Sequence, residues 1–400
     1  MSAPPSTGVK RPSALGFIIV VVAALVLYLL MTMLPSSDAW LPYGTWAQEA
    51  PTNLLYRIYW FFGDLVEAQF HKSVLAGVGV LLFGLLAWIL ASNRSRWAGF
   101  SICYGTGLWP WIAGASLLGL FLSDFVFDFV GILGTPRGME LGWIPTFVPV
   151  VSIPAAVIFV YGGNWRNLLT GSILGGLIGF PIAYFVIDKM LAPAGLPFVI
   201  GNVTGMWLGG IITLEICRQL PWMKPVPAPG APEQPDLDKS SPTWFIRRVV
   251  ADFSEANFFG NEVASVGLLL GSVLSWFIGS QHPAYGSGLL PQMILGQVLA
   301  SAIGIYLYFH KWEELGWYPT FVPVVSVTPA IILTYGGSWQ SIVFGALLGA
   351  LVGPPVAQMI LSRLPDKWHP LIANTFSMAL STALIAWVLQ YVPGFGRPWF

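Results

Sequence analysis

Charge is what this sequence has least of. Only 9% of its 400 residues are Asp, Glu, Lys or Arg, against about a quarter in a soluble domain, so a water-facing globular surface cannot be assembled from it. Cysteine is scarce as well: Cys103 and Cys217 both fall inside apolar stretches, without redox or metal-ligand spacing. The formal net charge is zero, which removes the basic footprint of a nucleic-acid partner. Segments of about ten residues alternating in hydrophobicity, the mark of a membrane β-barrel, are missing. So are HExxH, Walker A, GxSxG and CxxC patterns. Without those groups the chain is not read as an enzyme.

Apolar residues, by contrast, make up 56% of the chain, with a mean hydropathy of +0.72. The few charges are segregated, leaving nine uncharged blocks: 12–37, 73–93, 97–123, 141–165, 167–187, 190–214, 263–310, 315–362 and 368–396. A helix needs about 20 apolar residues to cross the hydrocarbon core. The seventh block therefore holds two crossings, parted near Gln281-His282-Pro283, and the eighth holds two, parted near Tyr335-Gly336-Gly337. The expected fold is an all-α polytopic membrane protein of about 11 transmembrane helices. With Lys10-Arg11 in the cytosol, alternating sides put 13 of the 18 basic residues on that face, the positive-inside pattern. The expectation is an inner (plasma) membrane protein with a cytosolic N-terminus and an external C-terminus. The first block also admits a signal peptide cleaved after Ala39, although its apolar run from Ala14 to Leu34 is long for one.

An internal repeat organises the chain. Glu140 to Trp165 reads ELGWIPTFVPVVSIPAAVIFVYGGNW and Glu314 to Trp339 reads ELGWYPTFVPVVSVTPAIILTYGGSW, with 18 of 26 positions identical. Phe61-Phe62-Gly63 pairs more weakly with Phe258-Phe259-Gly260. Each copy carries five expected helices. An odd number of crossings forces the second copy to enter the bilayer upside down, as in many secondary transporters. The expected divisions are an N-terminal transmembrane helix (1–40), an external loop with an interfacial segment (41–71), repeat 1 (72–220), a Pro-rich cytosolic linker (221–256), repeat 2 (257–392) and an external tail (393–400). The five-plus-five plan resembles urea-transporter-like and sugar-phosphotransferase permease folds in architecture alone.

The candidate site rests on proline. Pro145, Thr146, Pro149 and Ser152 recur as Pro319, Thr320, Pro323 and Ser326, and two prolines four residues apart break a helix. Freed carbonyls in hydrocarbon must then be covered by protein or line a wet cavity. Asn202 and Thr204, with Asn374 and Thr375, begin the last helix of each copy and could supply polar contacts or simple caps. Glycines at every fourth position, Gly171, Gly175 and Gly179 with Gly345, Gly349 and Gly353, are read as smooth packing faces. No carboxylate, Lys or Arg falls mid-helix in this reading. The expected function is therefore a secondary transporter or facilitator for a small neutral or weakly polar solute bound between the Pro-Thr-Phe-Val-Pro segments. No cofactor is expected, a coupling Na⁺ or H⁺ stays open, and the partners are the lipid bilayer, the solute and, as an open option, further copies of the chain. A membrane scaffold or a lipid-handling factor without transport is the alternative.

Overall fold

The computed structural model describes residues 10–37, 40–230 and 237–395. Ala39, residues 231–236 of the linker and the end of the 393–400 tail lie outside the described residues. Among the described residues all regular structure is helical. The α-helices are α1 (Ala14–Met33), α2 (Tyr43–Glu49), α3 (Leu54–Asp64), α4 (Val74–Ser92), α5 (Trp109–Phe121), α6 (Pro136–Leu141), α7 (Ile153–Tyr161), α8 (Trp165–Val186), α9 (Ala192–Ala194) and α10 (Val199–Gln219). They continue as α11 (Pro242–Glu255), α12 (Glu262–Ile278), α13 (Leu290–Leu307), α14 (Phe309–Leu315), α15 (Val327–Tyr335), α16 (Trp339–Leu361) and α17 (Leu371–Leu389). Eight helices are long and apolar enough to cross a membrane, and three shorter apolar ones, Val148–Tyr161, Glu262–Ile278 and Val322–Tyr335, fill the remaining blocks. The chain is an all-α polytopic membrane protein.

Proline shapes two of the short ones. A 3₁₀ turn, Val148–Val151, runs into Ser152 at φ −147°, ψ −105° before α7 starts, and its copy Val322–Val325 meets Ser326 at φ −145°, ψ −88° before α15. The broken helices are therefore a turn, a corner and half a helix. The glycine faces seat them. A Cβ on Gly175 would stand 2.6 Å from Pro154, and one on Gly349 would stand 2.9 Å from Pro323, so only glycine lets α8 and α16 come this close. Gly171 and Gly345 face Val157 and Ile331, while Gly179 and Gly353 face Val148 and Val322.

The two copies meet through equivalent elements. Helix α4 packs on its counterpart α12, and α10 packs on α17. Ser73 touches Ser275 at 2.6 Å, Gly79 lies against Gly267 and Gly84 against Phe259, so α4 and α12 run antiparallel. Gly210 beside Ile372 and Trp207 beside Phe376 show the same sense for α10 and α17. Around each of these central helices the order is also matched: α8 carries α5, α7 and α10, and α16 carries α13, α15 and α17. Helix α1 stands outside the repeats against α11 and α13.

Two expected divisions change. The 41–71 segment is not a surface loop. Trp46, Trp60, Gln69 and His71 are all fully buried, because α3 turns its charged end inward, where that charge is paired. The linker expected through residue 256 ends sooner, since α11 begins at Pro242 with Ser241 as its N-cap, and its Phe245, Phe253 and Glu255 are buried. Helices α3 and α11 are themselves copies. Asp64-x-x-Glu67-Ala68-Gln69-Phe70 matches Asp252-x-x-Glu255-Ala256-Asn257-Phe258 at an offset of 188 residues. Phe70, not Phe61, is thus the partner of Phe258, and each repeat begins one helix earlier than its expected border.

Candidate functional site

The ends of α3 and α11 bring carboxylates into the interior, where an ionised group survives only with a partner. In the first repeat Lys72 pairs with Asp64 and, at 2.5 Å, with Glu67. The second repeat uses Arg248, at 2.8 Å from Asp252 and 2.7 Å from Glu255. The cation comes from different places: Arg248 occupies the position of Trp60, and Gly260 that of Lys72. The acid pair is the repeated feature, and each copy neutralises it independently. Indole donors complete the acids, Trp143 Nε1–H to Glu67 and Trp317 Nε1–H to Glu255 at 2.8 Å. Those two tryptophans are the same position of the long repeat.

Between the copies, Gln69 Nε2–H donates to the Phe253 carbonyl at 2.7 Å, and its counterpart Asn257 Nδ2–H donates to the Leu65 carbonyl at 2.8 Å. Gln69 also donates to Asn257 Oδ1 at 2.9 Å. Equivalent groups exchanging equivalent bonds place a local two-fold axis at this contact.

A cavity of about 330 Å³ lies beside that axis, within the range of small-molecule sites. Its wall is built in matched pairs: Glu67 with Glu255, Asn202 with Asn374, Met206 with Met378. Four of its rings sit on left-handed backbone, Phe70 at φ 64° and Phe258 at φ 63°, Tyr104 at φ 57° and Tyr285 at φ 61°. Non-glycine residues avoid this region, and strain of this kind persists where the fold holds side chains in place for a task. The tyrosines belong to a second short repeat, Tyr104-Gly-Thr-Gly-Leu and Tyr285-Gly-Ser-Gly-Leu. The Tyr285 hydroxyl reaches Glu67 at 3.5 Å, and the Tyr104 hydroxyl interacts with Glu255.

Two more cavities flank the central one. One, of about 590 Å³, is lined by Gly142, Trp143 and Ser287 and shares Tyr285 with the central space. The other, of about 470 Å³, is lined by Gly316, Arg96 and Arg247 and shares Tyr104 and Trp317. Matching positions thus line both flanking cavities.

The residues nominated by the sequence divide in two. Asn202, Asn374 and Thr375 line the central cavity, as do Phe147, Val151, Phe321 and Val325 of the broken segments. All of the nominated hydroxyls but that of Thr320 are engaged elsewhere. Thr146 accepts from Trp60 Nε1–H at 2.6 Å, while Ser152 donates to the Val148 carbonyl and Ser326 to the Val322 carbonyl at 2.6 Å. Those serines cover carbonyls that the proline-broken turns would leave bare. Thr204 and Thr375 donate to carbonyls one turn back, at 2.6 and 2.8 Å. Thr320 is fully buried with no partner for its hydroxyl. Pro145 and Pro319 precede the turns, Pro149 and Pro323 stand in the first positions of those turns, and none of the four lines the central cavity. Sequence reasoning missed Glu67, Glu255, Tyr104 and Tyr285. The signals were the two short repeats at offsets of 188 and 181 residues, which depart from the 174 of the long one. No protein-family model matches this chain, and no curated protein matches it.

Proposed function

We propose that the protein is a secondary carrier, built from two repeats of opposite membrane orientation, that passes a small solute through the central cavity. The observation that carries this reading is the paired wall: one cavity assembled from equivalent residues of both copies, with one tyrosine of a matched pair standing between it and each flanking cavity. Equivalent helices packed antiparallel are what a two-fold axis in the membrane plane produces. Two equivalent entrances, one opening as the other closes, then need only a small rocking of one repeat against the other. The positive-inside charge pattern supports a choice of sides. Arg96, Lys239 and Arg247 line the Tyr104 side, which supports a reading with that entrance at the cytosol and the Tyr285 entrance outside. The reading also puts the N-terminus inside and the C-terminus outside, in the inner (plasma) membrane, and it assigns no enzymatic step.

The neutral solute expected from the sequence rested on the absence of fixed charge near the site, and Glu67 and Glu255 remove that ground. The test is exchange in sealed vesicles. Vesicles carrying the purified protein and a labelled solute should release it faster when the unlabelled solute is added outside, and Tyr285→Cys and Tyr104→Cys variants should react with a membrane-impermeant thiol reagent from opposite faces. Release at the rate of empty vesicles for neutral, cationic and anionic small solutes alike would remove the carrier reading.

A further inference from the structure

Every carboxylate oxygen on the wall of the central cavity is already engaged. Glu67 bonds Lys72, Trp143 and Tyr285, and Glu255 bonds Arg248 and Trp317, with side chains 0% and 1% exposed. The Thr375 hydroxyl is engaged too, by the Leu371 carbonyl. Among the described residues neither Lys nor Arg lines the space. A cation therefore meets no free carboxylate there, and an anion meets no counter-charge, so either ion would shed its water without compensation. An uncharged occupant fits, because the carboxylates are engaged rather than because charge is scarce along the chain.

His369 lines the same space and is supplied by one copy alone. At the 172-residue spacing that pairs Asn202 with Asn374, its counterpart is Pro197. The imidazole lies on Phe159, with centroids 5.0 Å apart and planes 20° apart, and meets Phe258 edge-on at 5.9 Å. The Leu371 N–H at the start of α17 donates to Nδ1 at 3.1 Å. That bond takes the Nδ1 lone pair, so the neutral ring carries its proton on Nε2. Burial pushes the imidazole down to about 4, which keeps it neutral at physiological pH. Among the described residues no acceptor meets Nε2–H. Asn202 and Asn374 each have a donor end and an acceptor end and so select nothing. His369 does select, because its free nitrogen can only give a hydrogen bond.

We propose that the cavity binds an uncharged solute with a compact apolar body and a carbonyl oxygen, and that His369 Nε2–H donates to that oxygen. The proposal rests on the carrier reading only for the passage of that solute and names the class it carries. Phe147, Phe321, Met206 and Met378 surround the apolar body, and the hydrogen bond fixes its direction. A hydrocarbon would leave Nε2–H bare. An ammonium would set a second donor against it.

The experiment is calorimetric titration of the full chain in lipid nanodiscs at neutral pH, with protein-free nanodiscs as the blank for partition into lipid. The probes are N,N-dimethylbenzamide, which accepts but cannot donate, its hydrocarbon analogue cumene, benzylammonium and benzoate. The amide should bind about fivefold more tightly than cumene, the worth of one neutral hydrogen bond, and more tightly than either ion. His369→Phe keeps a ring on Phe159 and removes the donor. Once shown to be folded by its thermal unfolding, it should bind the amide no better than cumene, and His369→Gln, which regains an N–H, should restore part of the preference. The probe comparison in the unmodified protein decides the solute class even where the Phe variant does not fold. Cumene binding as tightly as the amide, either ion binding more tightly, or a folded His369→Phe that keeps the preference would overturn the assignment. The amide preference with Tyr104→Cys and Tyr285→Cys labelled from the same face would leave the site standing and remove the carrier reading. Labelling from opposite faces without that preference would do the reverse.

Discussion

Thr146 and Thr320 occupy the same position of the long repeat and have opposite surroundings. Thr146 is the acceptor for Trp60 Nε1–H at 2.6 Å, whereas the Thr320 hydroxyl is buried with no partner. Thr146→Val should therefore strand a buried indole donor and cost about 1–3 kcal/mol, while Thr320→Val removes an unsatisfied group and should be neutral or stabilising. Thermal unfolding of the two variants side by side reads the difference, and equal losses would contradict the geometry. Lys72 gives a stronger case at the same scale. Among the described residues it is the one cation paired with Asp64 and Glu67, and all three side chains are fully buried. Lys72→Met should cost about 3–5 kcal/mol, since removing one partner leaves uncompensated buried charge. Adding Glu67→Gln to that variant should restore part of the loss, as measured by denaturant unfolding.

At the scale of elements, the contact between α4 and α12 depends on two glycines facing each other. A side chain on Gly79 would run into the Gly267 carbonyl, and one on Gly267 would run into the Gly79 carbonyl. Gly79→Ala and Gly267→Ala should each destabilise by about 1–3 kcal/mol, the range for overpacking a close contact. The double variant should lose less than the sum, because both changes push apart the same pair. Full additivity in thermal unfolding would mean that the helices do not cross there. The broken segments show how far such elements can be read from sequence. Prolines four apart announced the interruption correctly, because proline's missing donor is a local property. What the segments contribute could not be read the same way. The serines close carbonyls on their own turn, and the cavity is met by Phe147, Val151, Phe321 and Val325. Which face of a broken turn looks inward depends on how α8 and α16 seat it, and that is a packing outcome.

For the whole molecule the decisive claim is that equivalent helices run antiparallel across a two-fold axis. Ser73 and Ser275 meet at 2.6 Å between their hydroxyls, so Ser73→Cys with Ser275→Cys, in a background where Cys103 and Cys217 are alanine, should form a disulfide on mild oxidation. Mass spectrometry of the peptides should show residue 73 joined to residue 275. Failure to join would contradict the antiparallel packing of α4 and α12. The sequence by itself determined the membrane environment, the duplication and the odd number of long apolar blocks per copy, because hydropathy and near-identical segments are properties of the chain that need no folding. It also marked the proline breaks and the glycine faces. Only the tertiary structure decided what the site contains. Helices α3 and α11, with the turn after α3, carry Asp, Glu, Lys and Arg and so read as surface or linker, since an isolated buried charge is prohibitive. Folding brings Lys72 to Asp64 and Glu67, and Arg248 to Asp252 and Glu255. Each cation lies only four to eight residues from its acids, so the pairing is local; what the chain alone does not show is that α3 and α11 turn these pairs into the interior, which is a packing outcome.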